Sequence, residues 1–189
     1  MSVSLDGFVA GPHDEIDQVF RWYGSGDTEF PFPGSDMVFK VSHASAERLH
    51  EASQTVGAIV TGRRNFDNAH GWANKPPLGV PHFVVTHNIP QEWVYEGSMF
   101  TFVTDGVASA VAQARQVAGE KDVAVSSANI MRQCLKAGLL DEIHIDLVPV
   151  LLGDGIRMFE QLGSEPIELE QLRVVAGAGV THLRYRVVK

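Results

Sequence analysis

Four short apolar runs constrain the fold of this chain more than any other feature: residues 56–61, 82–86, 99–103 and 123–125, rich in β-branched or aromatic residues and mostly bounded by Gly, Pro, Asn or Asp. Runs of that length and composition read as buried strands. Helical periodicity accompanies them. Residues 44–53 carry Ala46, Leu49 and Ala52 at spacings of three, and residues 106–118 carry Val107, Val111, Ala114 and Val117 or Ala118 on one stripe. Asp105 stands where an N-cap would open the second of these helices. Residues 128–137 bring Ile130, Cys134 and Ala137 together and stop at Gly138, a residue suited to a left-handed C-cap. Strands alternating with helices of this size predict crossover units and a mostly parallel sheet with helices on both faces.

The chain ends differently. Residues 142–150 alternate Ile143, Ile145 and Leu147 against His144, Asp146 and Val148, and residues 169–176 and 180–188 flank Gly177 and Gly179 as an antiparallel hairpin. The expectation is an α/β protein: one mixed, mostly parallel sheet of about eight strands, ending in that hairpin. Residues 1–189 read as a single domain without internal repeats. Residues 11–43, with four Gly and three Pro, read as an irregular lid or insertion. Strand-like residues begin at Met1 with no lead-in, which suggests a short first strand or a shortened start.

Composition narrows the function. Lys and Arg total 15 against 23 Asp and Glu, a formal net charge of -8, so no broad positive field exists to displace counterions from nucleic acid or an anionic membrane. An anionic ligand must be gripped locally. The single cysteine, Cys134, excludes an intrachain disulfide framework and a cysteine-rich zinc site, in keeping with a reducing compartment. No stretch approaches the roughly 18 consecutive apolar residues of a membrane span, and the N-terminus lacks the basic region of a signal peptide. The expected setting is cytoplasmic, with neither nucleic acid nor membrane as partner.

Several catalytic signatures are missing. His50-Glu-Ala-Ser-Gln54 falls short of a zinc-protease helix because Gln54 replaces the second histidine, and His144 and Asp146 share a strand face without a third ligand, so no metal site is expected. Nucleophile elbow, P-loop and G-x-G-x-x-G turn are also missing. What is present are four segments at the ends of apolar runs, where open α/β sheets bind ligands. In Thr61-Gly-Arg-Arg-Asn65, Gly62 permits close backbone approach and Arg63 and Arg64 offer fork-shaped cationic donors suited to a phosphate monoester, or pair with Asp67 as surface charges. Thr86 and His87 end a strand in a hydroxyl and an imidazole, fit for a nucleotide ribose or for bonding the strand end itself. Ser126-Ser-Ala-Asn129 opens a helix directly after a strand, which suits a diphosphate or plain serine capping. Gly153-Asp-Gly155 forms a tight turn or merely a loop. Asp6, followed by Gly7 and Phe8, is placed either to orient or protonate a heterocycle or to bond turn amides.

Read together, these segments resemble the dihydrofolate reductase superfamily, and more closely the branch containing the reductase domain of bacterial riboflavin biosynthesis. The motifs carrying the resemblance are Ser4-Leu-Asp-Gly-Phe-Val-Ala-Gly-Pro12, Thr61-Gly-Arg-Arg-Asn-Phe66, Phe83-Val-Val-Thr86 and Ala137-Gly-Leu-Leu-Asp-Glu-Ile-His-Ile145, then Pro149-Val-Leu-Leu-Gly-Asp-Gly155 with Met158 and Phe159. The resemblance implies an NADPH-dependent reductase that transfers hydride to a pteridine, pyrimidine or related nitrogen heterocycle, a small-molecule substrate. It assigns Gly62, Arg63, Arg64 and Asn65 to the adenosine 2′-phosphate, and Thr86 and His87 to the adenine ribose. It assigns Ser126, Ser127, Ala128, Asn129 and Ile130 to the diphosphate turn, and Asp6 to a position near the reacting ring, with Gly7, Phe8, Gly153, Asp154 and Gly155 in the substrate or loop region. The chain departs from the family pattern in carrying Ser126-Ser127 where the family has a glycine pair, and Asn65 where it usually has Thr. No secure counterpart exists for the acid that dihydrofolate reductases place facing the pterin, which argues against folate reduction. The alternatives are a nucleotide- or flavin-binding module without catalysis and, from the C-terminal hairpin, an assembly protein forming a homodimer.

Overall fold

Alternating helix and strand periodicity produces the α/β architecture that the sequence leads one to expect. A computed structural model describes residues Met1–Lys189. In chain order the strands are β1 Ser2–Ser4, β2 Phe8–Ala10, β3 Thr28–Pro31, β4 Val38–Val41, β5 Val56–Gly62, β6 His82–Val85, β7 Phe100–Val103, β8 Asp122–Ser126, β9 Glu142–Val148, β10 Ile156–Arg157, β11 Leu169–Gly177 and β12 Val180–Val187. The α-helices are α1 Asp17–Phe20, α2 His43–Thr55, α3 Arg63–Asn68, α4 Val107–Ala118 and α5 Ala128–Lys136. No helix is long and apolar enough to cross a membrane. The chain divides into two compact units, Met1–Phe30 with Val38–Leu49 and Leu135–Lys189, and Pro31–Met37 with His50–Cys134.

The second unit is built on a parallel sheet in the order β7-β6-β5-β8. Ala58, Val60, Thr61 and Val84 lose all solvent contact in its central strands. The small stripe of Ala110, Val111, Ala114 and Ala118 lets α4 lie close against β5, β6 and β8. Gly57 makes that approach feasible, since a Cβ there would stand 3.0 Å from the Ala118 Cα. A separate cluster gathers Phe66, Val84 and Phe100 with Trp72, Trp93, Met99 and Phe102 packed against it. The helix boundary expected at Asp105 lies one residue later: Gly106 is the N-cap of α4, at φ +99 and with no side-chain bond. A positive φ is open to glycine and strained for aspartate, so the backbone turn overrides the capping preference. Gly138 does follow α5 at φ +67, its N–H donating to the Leu135 carbonyl at 3.1 Å.

The first unit is built on a mixed sheet in the order β1-β9-β12-β11, with β1 parallel to β9 and the β11–β12 hairpin antiparallel. Hydrogen bonding thus groups eight strands as two four-stranded sheets rather than one. Two-stranded pairings, β10 with β2 and β3 with β4, stand apart from both. Residues 11–43 are not irregular throughout, because α1, a short 3-10 turn over Arg21–Gly24, β3 and β4 occupy much of them. Val19, Trp22, Phe30 and Val41 are wholly or almost wholly buried there. Each element is too short for a period to show between the glycines and prolines, which is why the sequence reads as loop.

Candidate functional site

Parallel pairing sets three strand ends of the second unit level. Thr61 of β5 lies opposite Val84 of β6 on one side and Ser126 of β8 on the other, and Gly62 lies opposite Val85. The segments that follow leave the sheet at one rim, beyond the carboxyl ends of the strands where open α/β sheets hold ligands. Arg63 opens α3. Its Nε donates to Asp67 Oδ1 at 2.7 Å and its Nη1 to the Asn88 carbonyl at 2.8 Å, so the guanidinium is anchored on the β6 side of β5. Asp67, the surface-pairing alternative, is therefore one of two anchors. Arg64 is exposed. Asn65 Nδ2 donates to Thr61 Oγ1 at 3.0 Å and to Ser126 Oγ at 3.4 Å, tying α3 to both strand ends. Thr86 Oγ1 donates to the Asn88 carbonyl at 2.9 Å and accepts the Asn88 N–H at 3.2 Å, and His87 beside it is exposed.

On the β8 side, the Ser127 carbonyl accepts the Met131 N–H at 3.0 Å, which makes Ser127 the residue that opens α5. Plain serine capping is not what it does, because Ser127 Oγ is buried with no hydrogen-bond partner. Ala128 and Ile130 are buried, and Asn129 is exposed with its Oδ1 accepting from Gln133 at 3.4 Å. A Cβ on Gly62 would press to 3.2 Å on both Ser127 Oγ and Ile130 Cγ1, so glycine keeps this corner open. The first N–H groups of a helix lack intrahelical partners and favour an anion. An orphaned hydroxyl, a cradle that a side chain would fill and two arginines on one rim fit a phosphorylated dinucleotide.

The remaining candidates gather in the first unit. Asp6 Oδ1 accepts the Ser4 hydroxyl at 2.5 Å and the Leu152 N–H at 3.1 Å, while Oδ2 accepts the Gly153 N–H at 2.7 Å. The Ser4 hydroxyl above all, with the two amides, offsets desolvation and holds the carboxyl down at about 2. The turn at residues 152–155 is thereby clasped beside Gly7 and Phe8. The Gly7 carbonyl accepts the Met158 N–H at 2.9 Å, and Arg157 stacks over the Phe8 ring at 4.5 Å. Gly155, at φ +144, lies so close to the Ala10 carbonyl that a Cβ would collide with it. Asp154 closes its own turn, its Oδ1 accepting the Gly155 N–H at 2.8 Å.

Sequence reasoning missed two features. Asn88 is the hub of the β6 turn through its backbone carbonyl, and a carbonyl leaves no mark in a sequence. The other is a buried array in the first unit: His182 Nδ1 bonds Asp146 Oδ1 and His182 Nε2 bonds Ser45 Oγ, each at 2.8 Å, with Arg48 Nε 2.9 Å from the same carboxylate. Burial alone would raise the Asp146 pKa, but the Met1 ammonium, the His182 bond and Arg48 outweigh it and hold the carboxyl well below its usual range. The pattern is that of a hydrolase triad, yet Ser45, His182 and Asp146 are 1%, 4% and 5% exposed. It is a clasp joining α2, β9 and β12. His144, which shares a strand face with Asp146 in the sequence pattern, is exposed and bonds Glu142 at 3.0 Å instead.

Residues 1–183 match the family model of the RibD C-terminal domain. The chain belongs to the RibD C-terminal domain family. That membership is consistent with the resemblance to the dihydrofolate reductase superfamily carried by the motifs. The chain is 26% identical over 165 residues to the uncharacterized protein YwjB of Bacillus subtilis (strain 168), covering 87% of this chain and 83% of that one. Among solved structures, a Shewanella sp. PV-4 protein assigned to riboflavin biosynthesis matches over 100% of both chains, with a TM-score of 0.74 and 20% identity. Acinetobacter baumannii RibD matches 99% of this chain with a TM-score of 0.64 and 16% identity. The Thermotoga maritima diaminohydroxyphosphoribosylaminopyrimidine deaminase/5-amino-6-(5-phosphoribosylamino)uracil reductase matches 98%, with a TM-score of 0.63 and 11% identity. The chain spans 57% and 54% of the length of those last two proteins.

Proposed function

We propose that this chain is a reductase that uses NADPH to transfer hydride to a small nitrogen heterocycle of the pyrimidine or pteridine type. One observation carries the reading: the arginine pair after β5, the Thr86 turn after β6 and the serine turn before α5 share one rim of the parallel sheet. In this reading Arg63, pre-oriented by Asp67 and the Asn88 carbonyl, grips the 2′-phosphate with Arg64. Thr86 and His87 flank the adenine ribose, and the start of α5 receives the diphosphate. When bound, the dinucleotide supplies the hydride, and the chain supplies position and charge. A pyrimidine substrate is favoured by the Thermotoga relative, which is a uracil reductase by name. Asp6 serves as a positioning residue for residues 152–153 rather than as a proton donor, because its carboxyl stays ionised down to about 2.

Spectroscopic titration with NADPH and NADH tests the reading. NADPH is expected to bind more tightly, and Arg63→Ala to cost about 1.5–3 kcal/mol of NADPH binding as a charged hydrogen bond is lost. Equal weak binding of both dinucleotides, unchanged by Arg63→Ala, defeats it. The full engagement of Asp6 by the chain's own groups favours a second reading, dinucleotide or flavin binding without turnover. Oxidation of NADPH in the presence of any reducible pterin or pyrimidine eliminates that alternative.

A further inference from the structure

Ser127 carries two penalties that the fold by itself does not repay. Its φ is +104, a backbone conformation in which a Cβ is strained and which glycine adopts freely. Its Oγ is buried without a hydrogen-bond partner. A serine opening a helix normally turns its hydroxyl onto an N–H of the first turn. Here the positive φ points the side chain away, and Oγ comes to rest over Gly62 next to the Ile130 side chain. Glycine at this position would remove both penalties at the loss of one contact. Groups held strained and unsatisfied in an otherwise well-bonded structure cluster where a ligand later satisfies them. Ser127 sits between the end of β8 and the start of α5, on the rim already described.

We infer that Ser127 is a ligand-triggered clamp: its hydroxyl is parked against Gly62 in the free protein and rotates about χ1 to donate to a phosphate oxygen when a dinucleotide diphosphate reaches the start of α5. The same residue therefore destabilises the free protein and tightens the bound one. This rests on the dinucleotide reading above and goes past it, since a glycine turn would bind through backbone alone.

The test compares the wild type with Ser127→Gly and Ser127→Ala, measuring the Tm of the ligand-free protein and the Kd for NADPH and for adenosine 2′-monophosphate, which carries neither phosphate of the diphosphate. Ser127→Gly is expected to raise the ligand-free Tm by about 2–4 °C through relief of strain. Ser127→Ala keeps the strained backbone and is expected to gain less. Both variants are expected to weaken NADPH about tenfold to a hundredfold, the loss of one charge-assisted hydrogen bond. Both should leave the binding of adenosine 2′-monophosphate within about twofold of wild type, because that ligand has no phosphate to bring to the clamp. NADPH binding as tight as wild type in either variant overturns the clamp while leaving the proposed function standing. So does an equal loss for both ligands, or an unchanged Tm in Ser127→Gly. A wild type that binds no NADPH overturns the proposed function and the clamp with it.

Discussion

Asp6 shows how much a single side chain's chemistry depends on what reaches it. Its position before Gly7 leaves two roles open, ring contact or turn bonding, and the Ser4 hydroxyl with the amides of Leu152 and Gly153 realises the second. A carboxyl lowered from 3.8 to about 2 contributes stability that is present above its unfolded value and is lost as pH falls through about 2. The pH–rate profile of a reductase reaction is therefore expected to show no ionisation of Asp6 between about pH 5 and 8. Asp6→Asn should lower activity by loosening residues 152–155 while keeping the profile's shape, and a profile whose acid limb moves in that variant would contradict the assignment. Cys134 gives a similar contrast. Wholly buried, with its thiol pushed up to about 11 by desolvation, it is a core residue rather than a nucleophile.

Among elements, the turn over His70–Asn74 departs furthest from what its residues favour. His70, Gly71, Trp72, Ala73 and Asn74 have φ of +47, +54, +46, +49 and +62, a left-handed turn in which only Gly71 is without a Cβ. Such a conformation costs about 1–2 kcal/mol for each ordinary residue, so tertiary contacts must hold it. Asn74 Nδ2 donates to the Gly97 carbonyl at 3.1 Å and its Oδ1 accepts the Met99 N–H at 2.8 Å, while Trp72 stacks on Phe100 with ring centroids 6.3 Å apart. Ala73 is exposed at φ +49, and Ala73→Gly is expected to stabilise the protein by about 0.5–1 kcal/mol. Gly71→Ala should do the opposite by about 1–3 kcal/mol, because its Cβ would meet the Trp93 ring at 2.5 Å. Urea unfolding of the two variants checks both signs, and a stabilising Gly71→Ala would show that the turn is not held as described. Nothing in the sequence announces this element. Helices α2, α4 and α5 were legible because their apolar stripes keep a 3.6-residue period over nine or more residues.

For the molecule as a whole, the response to acid is set partly by His82. The imidazole is 3% exposed, and burial lowers its pKa despite the bond from Nδ1 to the Val80 carbonyl, which raises it. The unfolded chain then takes up a proton before the folded one does. Stability falls as pH drops below the unfolded value of 6.5, by up to about 1.4 kcal/mol per pH unit, until the lowered folded value is passed. Thermal unfolding followed from pH 7 towards pH 5 should show a declining Tm, and His82→Phe a flatter one; equal slopes would remove His82 from the account. Sequence alone determined the α/β class, the C-terminal hairpin, helices α2, α4 and α5, and the segments carrying Arg63, Thr86 and Ser126, because periodicity and turn residues act over a few positions. The tertiary structure decided the rest: that β5 pairs with both β6 and β8 and so levels three strand ends, that a backbone carbonyl at Asn88 anchors Arg63, that Ser127 opens a helix without capping it, and that Ser45, His182 and Asp146 close a buried clasp. Each of these joins residues far apart in the chain through pairing register or a main-chain atom, and neither is written in the identity of any one side chain.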